Sequence, residues 1–252
     1  MSQRKPPKEK INYILNLFES NQIQQALDLI DSLSKNYPDN SLLLNIRGAC
    51  YADLGQLDIA AQSYKKALSI KPDYAKAHYN LGGVLQELDK LGDSVKSYRS
   101  AIKFEPKNAQ AHNNLAIVLR ELNQLEEAEI SCRKAIALNP EYAEALCCLG
   151  IINYSNGDLD SAIGHMKKAN AIDPNLKIIK LLLAVLESRK IHKNSEVSYS
   201  NKNNQDYVVD LPSNPLILNR DVEHELIDKL YQIKSLELNK TCLLYTSDAA
   251  DE

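Results

Sequence analysis

Apolar side chains follow a helical spacing along most of this 252-residue chain. In residues 41–74 they recur every three or four positions in two stripes, at Leu44, Gly48 and Tyr51 and then at Ala60, Tyr64, Ala67 and Leu68. This spacing places each stripe on one face of an α-helix. Because both stripes recur 34 residues later and again after that, the pattern predicts a two-helix unit used several times.

Helix-ending residues recur with the same period and set the register of the units. One set is proline, which closes a helix because it lacks an amide hydrogen: Pro38, Pro72, Pro106, Pro140 and Pro174. The other set, at the fifteenth position, tolerates the left-handed conformation that ends a helix: Asn21, Gly55, Asp89, Asn123 and Gly157. We therefore predict an all-α chain with a basic disordered tail at 1–6 and five units, at 7–40, 41–74, 75–108, 109–142 and 143–176.

These features resemble the tetratricopeptide repeat, an antiparallel pair of helices in 34 residues with small residues at fixed positions and a late proline. Small residues stand at the eighth position of four units, at Gly48, Gly82, Ala116 and Gly150. The resemblance implies a right-handed α-solenoid with an extended concave surface. Two segments, AHYNLGGVL at 77–85 and AHNNLAIVL at 111–119, are similar to the repeats of O-linked N-acetylglucosamine transferases.

The resemblance also implies which residues face inward. In that family the asparagine at the sixth position holds the backbone of a bound peptide, and Asn80 and Asn114 match it. The full set implied to bind peptide is Asn45, Lys76, Tyr79, Asn80, Gln86, Gln110, Asn113, Asn114, Arg120 and Tyr154. Side-chain amides both donate and accept hydrogen bonds, so they can pair with a peptide backbone of any sequence. The alternative is that these residues form a solvated polar face, as any soluble solenoid requires.

Charge and composition limit the classes of partner that the chain is expected to bind. A formal net charge of −3 and a pI near 6.0 provide no general electrostatic basis for binding nucleic acid or an anionic membrane. No stretch has the roughly 20 apolar residues of a membrane span, and no signal peptide follows the basic start. The five cysteines are odd in number and lack CxxC spacing. We therefore predict a cytoplasmic protein that binds a protein or peptide, does not bind nucleic acid and does not insert into a membrane.

One class of peptide is disfavoured. The lysine spacings that a repeat protein needs to bind the C-termini of chaperones are absent from this sequence.

No motif predicts catalysis, a metal site or a cofactor. His78 and His112 are also 34 residues apart, but they occupy a packing position in the apolar stripe, which favours a structural role. The adjacent Cys147 and Cys148 would need two further ligands to hold zinc. The HExxH zinc motif fails because its last position is Asp228. The sequence thus predicts a protein that is not an enzyme.

The chain departs from the repeat after residue 176. Residues 177–190 continue its phase as a sixth first helix that is apolar on most sides, which predicts docking of a downstream domain or a second chain. Residues 191–206 predict a flexible linker, and 207–241 the start of a truncated downstream domain. That start includes a helix at 221–236 with acidic residues at its beginning and an apolar face of Val222, Leu226, Leu230 and Ile233. Residues 242–252 resemble a translated sequencing adapter, so the chain is interpreted as a fragment.

Two hypotheses for function arise from these patterns. The leading one is a protein–protein interaction scaffold that binds an extended peptide or partner protein in the concave groove. The alternative is a substrate-recruiting arm for a C-terminal catalytic domain, of glycosyltransferase or iron- and 2-oxoglutarate-dependent oxygenase type. Both hypotheses use the groove, and they differ in the kind of domain that they place C-terminal to the repeats.

Overall fold

A computed structural model describes residues 5–175 and 177–200. Within these residues there are eleven α-helices and no strand, which confirms the predicted all-α class. The helices belong to two compact units. The first unit contains α1 (Lys8–Glu19), α2 (Ile23–Ser34), α3 (Ser41–Asp53), α4 (Leu57–Ile70), α5 (Ala75–Glu87), α6 (Leu91–Phe104), α7 (Ala109–Glu121) and α8 (Leu125–Leu138). The second contains α9 (Ala143–Ser155), α10 (Leu159–Ile172) and α11 (Lys177–Ser200).

Consecutive helices pair as hairpins, and the hairpins stack. In the first unit α1 pairs with α2, α3 with α4, α5 with α6, and α7 with α8. The second helices α2, α4 and α6 pack on the first helices α3, α5 and α7 of the next hairpins, and α5 contacts both α3 and α7. In the second unit α9 pairs with α10, and α10 packs on α11. This stacking of helix pairs confirms the predicted α-solenoid.

Each of the first helices α1, α3, α5, α7 and α9 ends in the turn that the fifteenth position predicts. The residues there have positive φ, at 59° for Asn21, 72° for Gly55, 56° for Asp89, 58° for Asn123 and 84° for Gly157. The left-handed residue turns the chain so that the next amide can reach back to the helix end. Lys90 N, for example, donates to Leu85 O at 2.8 Å. These turns satisfy carbonyl groups that the end of the helix would otherwise leave unpaired.

Small residues on the first helix make room for large ones on the second. A Cβ atom on Gly82 would lie only 2.9 Å from ring atoms of Tyr98, and Tyr98 is fully buried. The next hairpin has Ala116 in the position of Gly82, and Cys132 replaces the tyrosine. Both of those side chains are also fully buried. The added methyl group on one helix is thus offset by a smaller side chain on the other, which keeps the helices close.

The two phased histidines connect each first helix to the proline before it. His78 Nε2 donates to Pro72 O at 2.9 Å, and His112 Nε2 donates to Pro106 O at 3.1 Å. Burial lowers the pKa of His112, so its ring is held in the neutral form. These contacts give both histidines the structural role predicted for them.

Helix α11 is longer than the sequence predicted. It runs Lys177–Ser200, so the predicted helix end at residue 190 and the predicted linker over 191–200 are wrong. The composition suggested a linker, but residues 177–200 contain neither glycine nor proline, so nothing interrupts the helix. The rest of the predicted linker, the predicted domain start at 207–241, the predicted adapter at 242–252 and residues 1–4 of the predicted tail lie outside the described residues.

Candidate functional site

The ten residues implied to bind peptide lie on four first helices. Nine are in the first unit, on α3, α5 and α7, and Tyr154 is on α9 of the second unit. Seven are buried: Asn45, Tyr79, Asn80, Asn113, Asn114, Arg120 and Tyr154. Lys76, Gln86 and Gln110 are partly exposed. A freely solvated polar face would not have this burial, and buried polar groups need hydrogen-bond partners.

The partners come from neighbouring first helices. Asn80 Nδ2 donates to Asn45 Oδ1 at 3.2 Å, which joins α5 to α3. Asn114 Nδ2 donates to the Tyr79 hydroxyl at 2.9 Å, which joins α7 to α5. These side chains therefore form a polar row across the first unit, and we refer to Asn45, Tyr79, Asn80, Asn113 and Asn114 as the amide row.

The hydrogen bonds of the amide row span 35 residues, one more than the repeat period. Gln86 Nε2 donates to Glu121 Oε1 at 3.0 Å with the same separation, and in the second unit Arg189 donates to the Tyr154 hydroxyl, again 35 residues away. Adjacent first helices are thus offset by one residue along the row. Sequence reasoning compared residues exactly one period apart and so missed these pairs.

The offset changes the role of the two asparagines singled out by the resemblance. Asn80 and Asn114 donate to the preceding helix, so each uses an amide hydrogen to hold the hairpins together. Asn113 differs, because it forms only a long contact, from its Nδ2 to Asn114 Oδ1 at 3.5 Å. Its Oδ1 atom is buried without a hydrogen-bond partner, and the whole residue is 2% exposed. Asn113 is therefore the member of the row with an unused acceptor.

Tyr98 and Gly83 lie beside the amide row. The rings of Tyr79 and Tyr98 meet edge to face with centroids 5.7 Å apart, and Asn114 Nδ2 lies 3.5 Å from the Tyr98 hydroxyl. A Cβ atom on Gly83 would meet that hydroxyl at 3.5 Å. Sequence reasoning placed Tyr98 only in the packing stripe. The contact between the Tyr98 hydroxyl on the second helix and Asn114 on the following first helix was therefore not predicted.

The described residues give no sign of catalytic or metal chemistry. No group of three or more His, Cys, Asp or Glu side chains among them could hold a metal ion. Burial, with a smaller effect of Asp53, raises the pKa of the Cys50 thiol to about 12, so Cys50 is not a nucleophile at neutral pH. None of the helices described is long and apolar enough to cross a membrane.

Stacked hairpins that bury a polar row between their first helices define a helical-repeat protein of the α-solenoid class. Sequence profiles of known families agree with this class. A profile described as TPR repeat matches residues 48–89, and three profiles described as tetratricopeptide repeat match residues 75–108, 109–142 and 131–164. The chain therefore contains tetratricopeptide repeats over residues 48–164. No curated protein sequence matches it.

Solved structures of other tetratricopeptide proteins are similar to this chain. PilW, a widely conserved type IV pilus biogenesis factor, is 26% identical with a TM-score of 0.66, over 76% of this chain and 88% of its own. YrrB, a TPR protein with an unusual peptide-binding site, is 20% identical with a TM-score of 0.59, over 72% and 90%. MamA from Desulfovibrio magneticus RS-1 is 22% identical with a TM-score of 0.61, over 67% and 96%. At such low identity the YrrB and MamA matches establish the fold alone.

Proposed function

We propose that the amide row and the residues beside it bind an extended peptide segment of a partner protein, and that the chain acts as an interaction scaffold. The family supports this role, since stacked repeats present extended surfaces to partners. YrrB, which has the same fold, is a TPR protein with an unusual peptide-binding site. The proposal covers the nine residues on α3, α5 and α7 of the first unit, and Tyr154 on α9 of the second unit stays a separate prediction.

The observation that carries the proposal is the unused acceptor of Asn113. A buried acceptor without a partner costs about 1–3 kcal/mol, so a ligand that donates a hydrogen bond to it gains binding free energy. A backbone N–H of a bound peptide would supply the missing donor.

The side chains around the row suggest what kind of peptide it accepts. Lys76, Gln86 and Gln110 are partly exposed, and their long side chains can move to admit a ligand. Amide contacts to the backbone would leave most of the peptide sequence unrestricted.

We also propose a cellular environment for the protein and a role for α11, the helix that follows the repeats. The four described cysteines are buried and form no disulfide with one another, which supports a reducing, cytoplasmic environment. Leu181 of α11 is exposed, whereas Ile179, Leu182 and Leu186 are buried. We therefore retain α11 as a docking surface for a downstream domain or second chain. No observation on the described residues favours the alternative of a substrate-recruiting arm of an enzyme.

The proposal is tested by selecting peptides from a random 12-residue phage library on the full chain. The affinity of a selected peptide is then measured by fluorescence anisotropy. We expect Asn113→Ala to weaken binding by about tenfold, the value of one hydrogen bond. Gln62→Ala, an exposed change on α4, is the control and should leave the affinity unchanged. Failure to select any peptide, or equal affinity of the Asn113→Ala variant, would contradict the proposal.

A further inference from the structure

Helix α5 contains two adjacent glycines near its middle, Gly82 and Gly83. Glycine inside a helix is less favourable than alanine because it loses more backbone freedom on folding. The packing of the hairpin accounts for Gly82, since a Cβ atom there would lie 2.9 Å from the ring of Tyr98. Gly83 needs a different explanation.

Neither the packing nor the backbone geometry of the described residues requires a glycine at position 83. Apart from its chain neighbours and its own helix backbone, the one described atom within 4 Å of a Cβ on Gly83 is the Tyr98 hydroxyl oxygen, at 3.5 Å. That distance is an ordinary van der Waals contact, and Gly83 is not among the described residues with positive φ. An alanine would therefore fit at this position and would stabilise the helix.

The same repeat position carries a side chain on both neighbouring first helices. It is Ala49 on α3 and Ile117 on α7, each 34 residues from Gly83. Both side chains are buried, whereas Gly83 is partly exposed. The missing side chain thus leaves the backbone of α5 accessible at Gly83, and we refer to this accessible backbone as the Gly83 opening.

Polar groups of the amide row lie next to the Gly83 opening. The Tyr98 hydroxyl borders it, and Asn114 Nδ2 lies 3.5 Å from that hydroxyl. The same Nδ2 atom donates to the Tyr79 hydroxyl at 2.9 Å. Tyr79 is four residues before Gly83, so both lie on the same face of α5. The Gly83 opening is therefore part of the surface that carries the row.

The unused acceptor of Asn113 is a second and independent observation at this place. Asn113 is 2% exposed, its Oδ1 atom has no hydrogen-bond partner, and its Nδ2 atom lies 3.5 Å from Asn114 Oδ1. Asn114 thus contacts both Asn113 and the Tyr98 hydroxyl at the Gly83 opening. A helix backbone without a side chain admits another backbone at close range, and a buried acceptor gains from a donor. A peptide main chain meets both requirements.

We propose that the main chain of a bound peptide lies directly on α5 at Gly83, from where it donates an N–H to Asn113 Oδ1. The inference rests on the proposed peptide binding and adds the residue that decides how closely the peptide approaches. A side chain at position 83 would hold the peptide away from α5 and lengthen its hydrogen bond to Asn113. Packed helices are about 8–10 Å apart and an extended peptide spans about 3.3 Å per residue, so about three peptide residues connect Gly83 with Asn113.

Binding and stability measured on the same variants test the inference. The affinity of a selected peptide is measured by fluorescence anisotropy, and the melting temperature by circular dichroism. Gly83→Ala should weaken binding at least about tenfold without lowering the melting temperature, and Gly83→Ile, which copies the residue of α7, should abolish measurable binding. A lower melting temperature of the Gly83→Ala variant would overturn the inference, because the glycine would then serve packing.

Gly92 provides the matched control. It lies in the first turn of α6, on a second helix, and a Cβ atom there would meet nothing within 4 Å. Gly92→Ala should therefore leave the affinity for the peptide unchanged. A loss equal to that of Gly83→Ala would overturn the inference.

A double-mutant cycle asks whether the close approach at Gly83 serves the hydrogen bond to Asn113. Asn113→Ala should weaken binding about tenfold in the unmodified chain but less than about threefold in the Gly83→Ala variant. Losses that multiply would overturn the inference. Binding that Asn113→Ala weakens and Gly83→Ala leaves unchanged would also overturn it, while the proposed peptide binding would stand. If no peptide is selected, or Asn113→Ala has no effect, both proposals are overturned.

Discussion

The close contact between Gly82 and Tyr98 leads to a quantitative prediction about the packing of the hairpins. A Cβ atom on Gly82 would lie 2.9 Å from two atoms of the fully buried tyrosine ring, so the ring or the helix must move. Such overpacking costs about 1–3 kcal/mol. Replacing glycine by alanine inside a helix contributes about 1 kcal/mol in the opposite direction. We therefore expect Gly82→Ala to lower the free energy of unfolding by up to about 2 kcal/mol.

The neighbouring Gly83 provides a matched control for this substitution. A Cβ atom there makes an ordinary contact of 3.5 Å, so Gly83→Ala should raise stability by up to about 1 kcal/mol. The comparison uses urea unfolding followed by circular dichroism. In a Tyr98→Cys background, which copies the Ala116 and Cys132 pair, Gly82→Ala should no longer destabilise. The packing argument would be refuted if Gly82→Ala stabilised the unmodified chain as much as Gly83→Ala does.

Three further predictions concern the amide row, a buried thiol and a buried histidine. Asn80→Ala should lower stability by about 1–3 kcal/mol in urea unfolding, because it leaves the buried Asn45 acceptor unpaired, whereas Asn113→Ala should lower it by less; equal losses would contradict the assignment of the row. Cys50 should resist iodoacetamide at about pH 8 until the protein unfolds, since its raised pKa keeps the thiol protonated, and rapid alkylation of the native protein would count against this. Because the pKa of His112 is lowered on folding, the unfolded chain takes up the proton more readily, so stability should fall as the pH drops below about 6.5. A His112→Gln variant should show a shallower fall, and an unchanged slope would oppose the argument.

Local features of the fold were predictable from the sequence because single residues determine them. A left-handed residue such as Asp89 specifies a helix end, and its φ of 56° bears this out. Gly82 needs no Cβ because Tyr98 fills that space, and both positions recur with the period. Helix α11 was predicted too short because composition was given more weight than the absence of glycine and proline.

Contacts between repeats were harder to predict. They depend on how far one hairpin is displaced along the next, and no residue type encodes that displacement. The offset of one residue decides that Asn114 meets Tyr79 instead of Asn80. It also decides that Asn80 and Asn114 hold hairpins together, while Asn113 retains an unused acceptor. The family resemblance predicts the peptide-binding surface, and the structure shows that Asn80 and Asn114 on it also join neighbouring hairpins.

The most direct test of the proposed binding row is a nuclear magnetic resonance titration of the labelled full chain with a selected peptide. The side-chain amide signals of Asn113 and Asn114 report on the row itself. The account predicts that these signals shift on saturation, together with backbone amides of α5 and α7 around Gly83. Shifts confined to α8 around Ile130, with the Asn113 signal unmoved, would contradict peptide binding at the amide row.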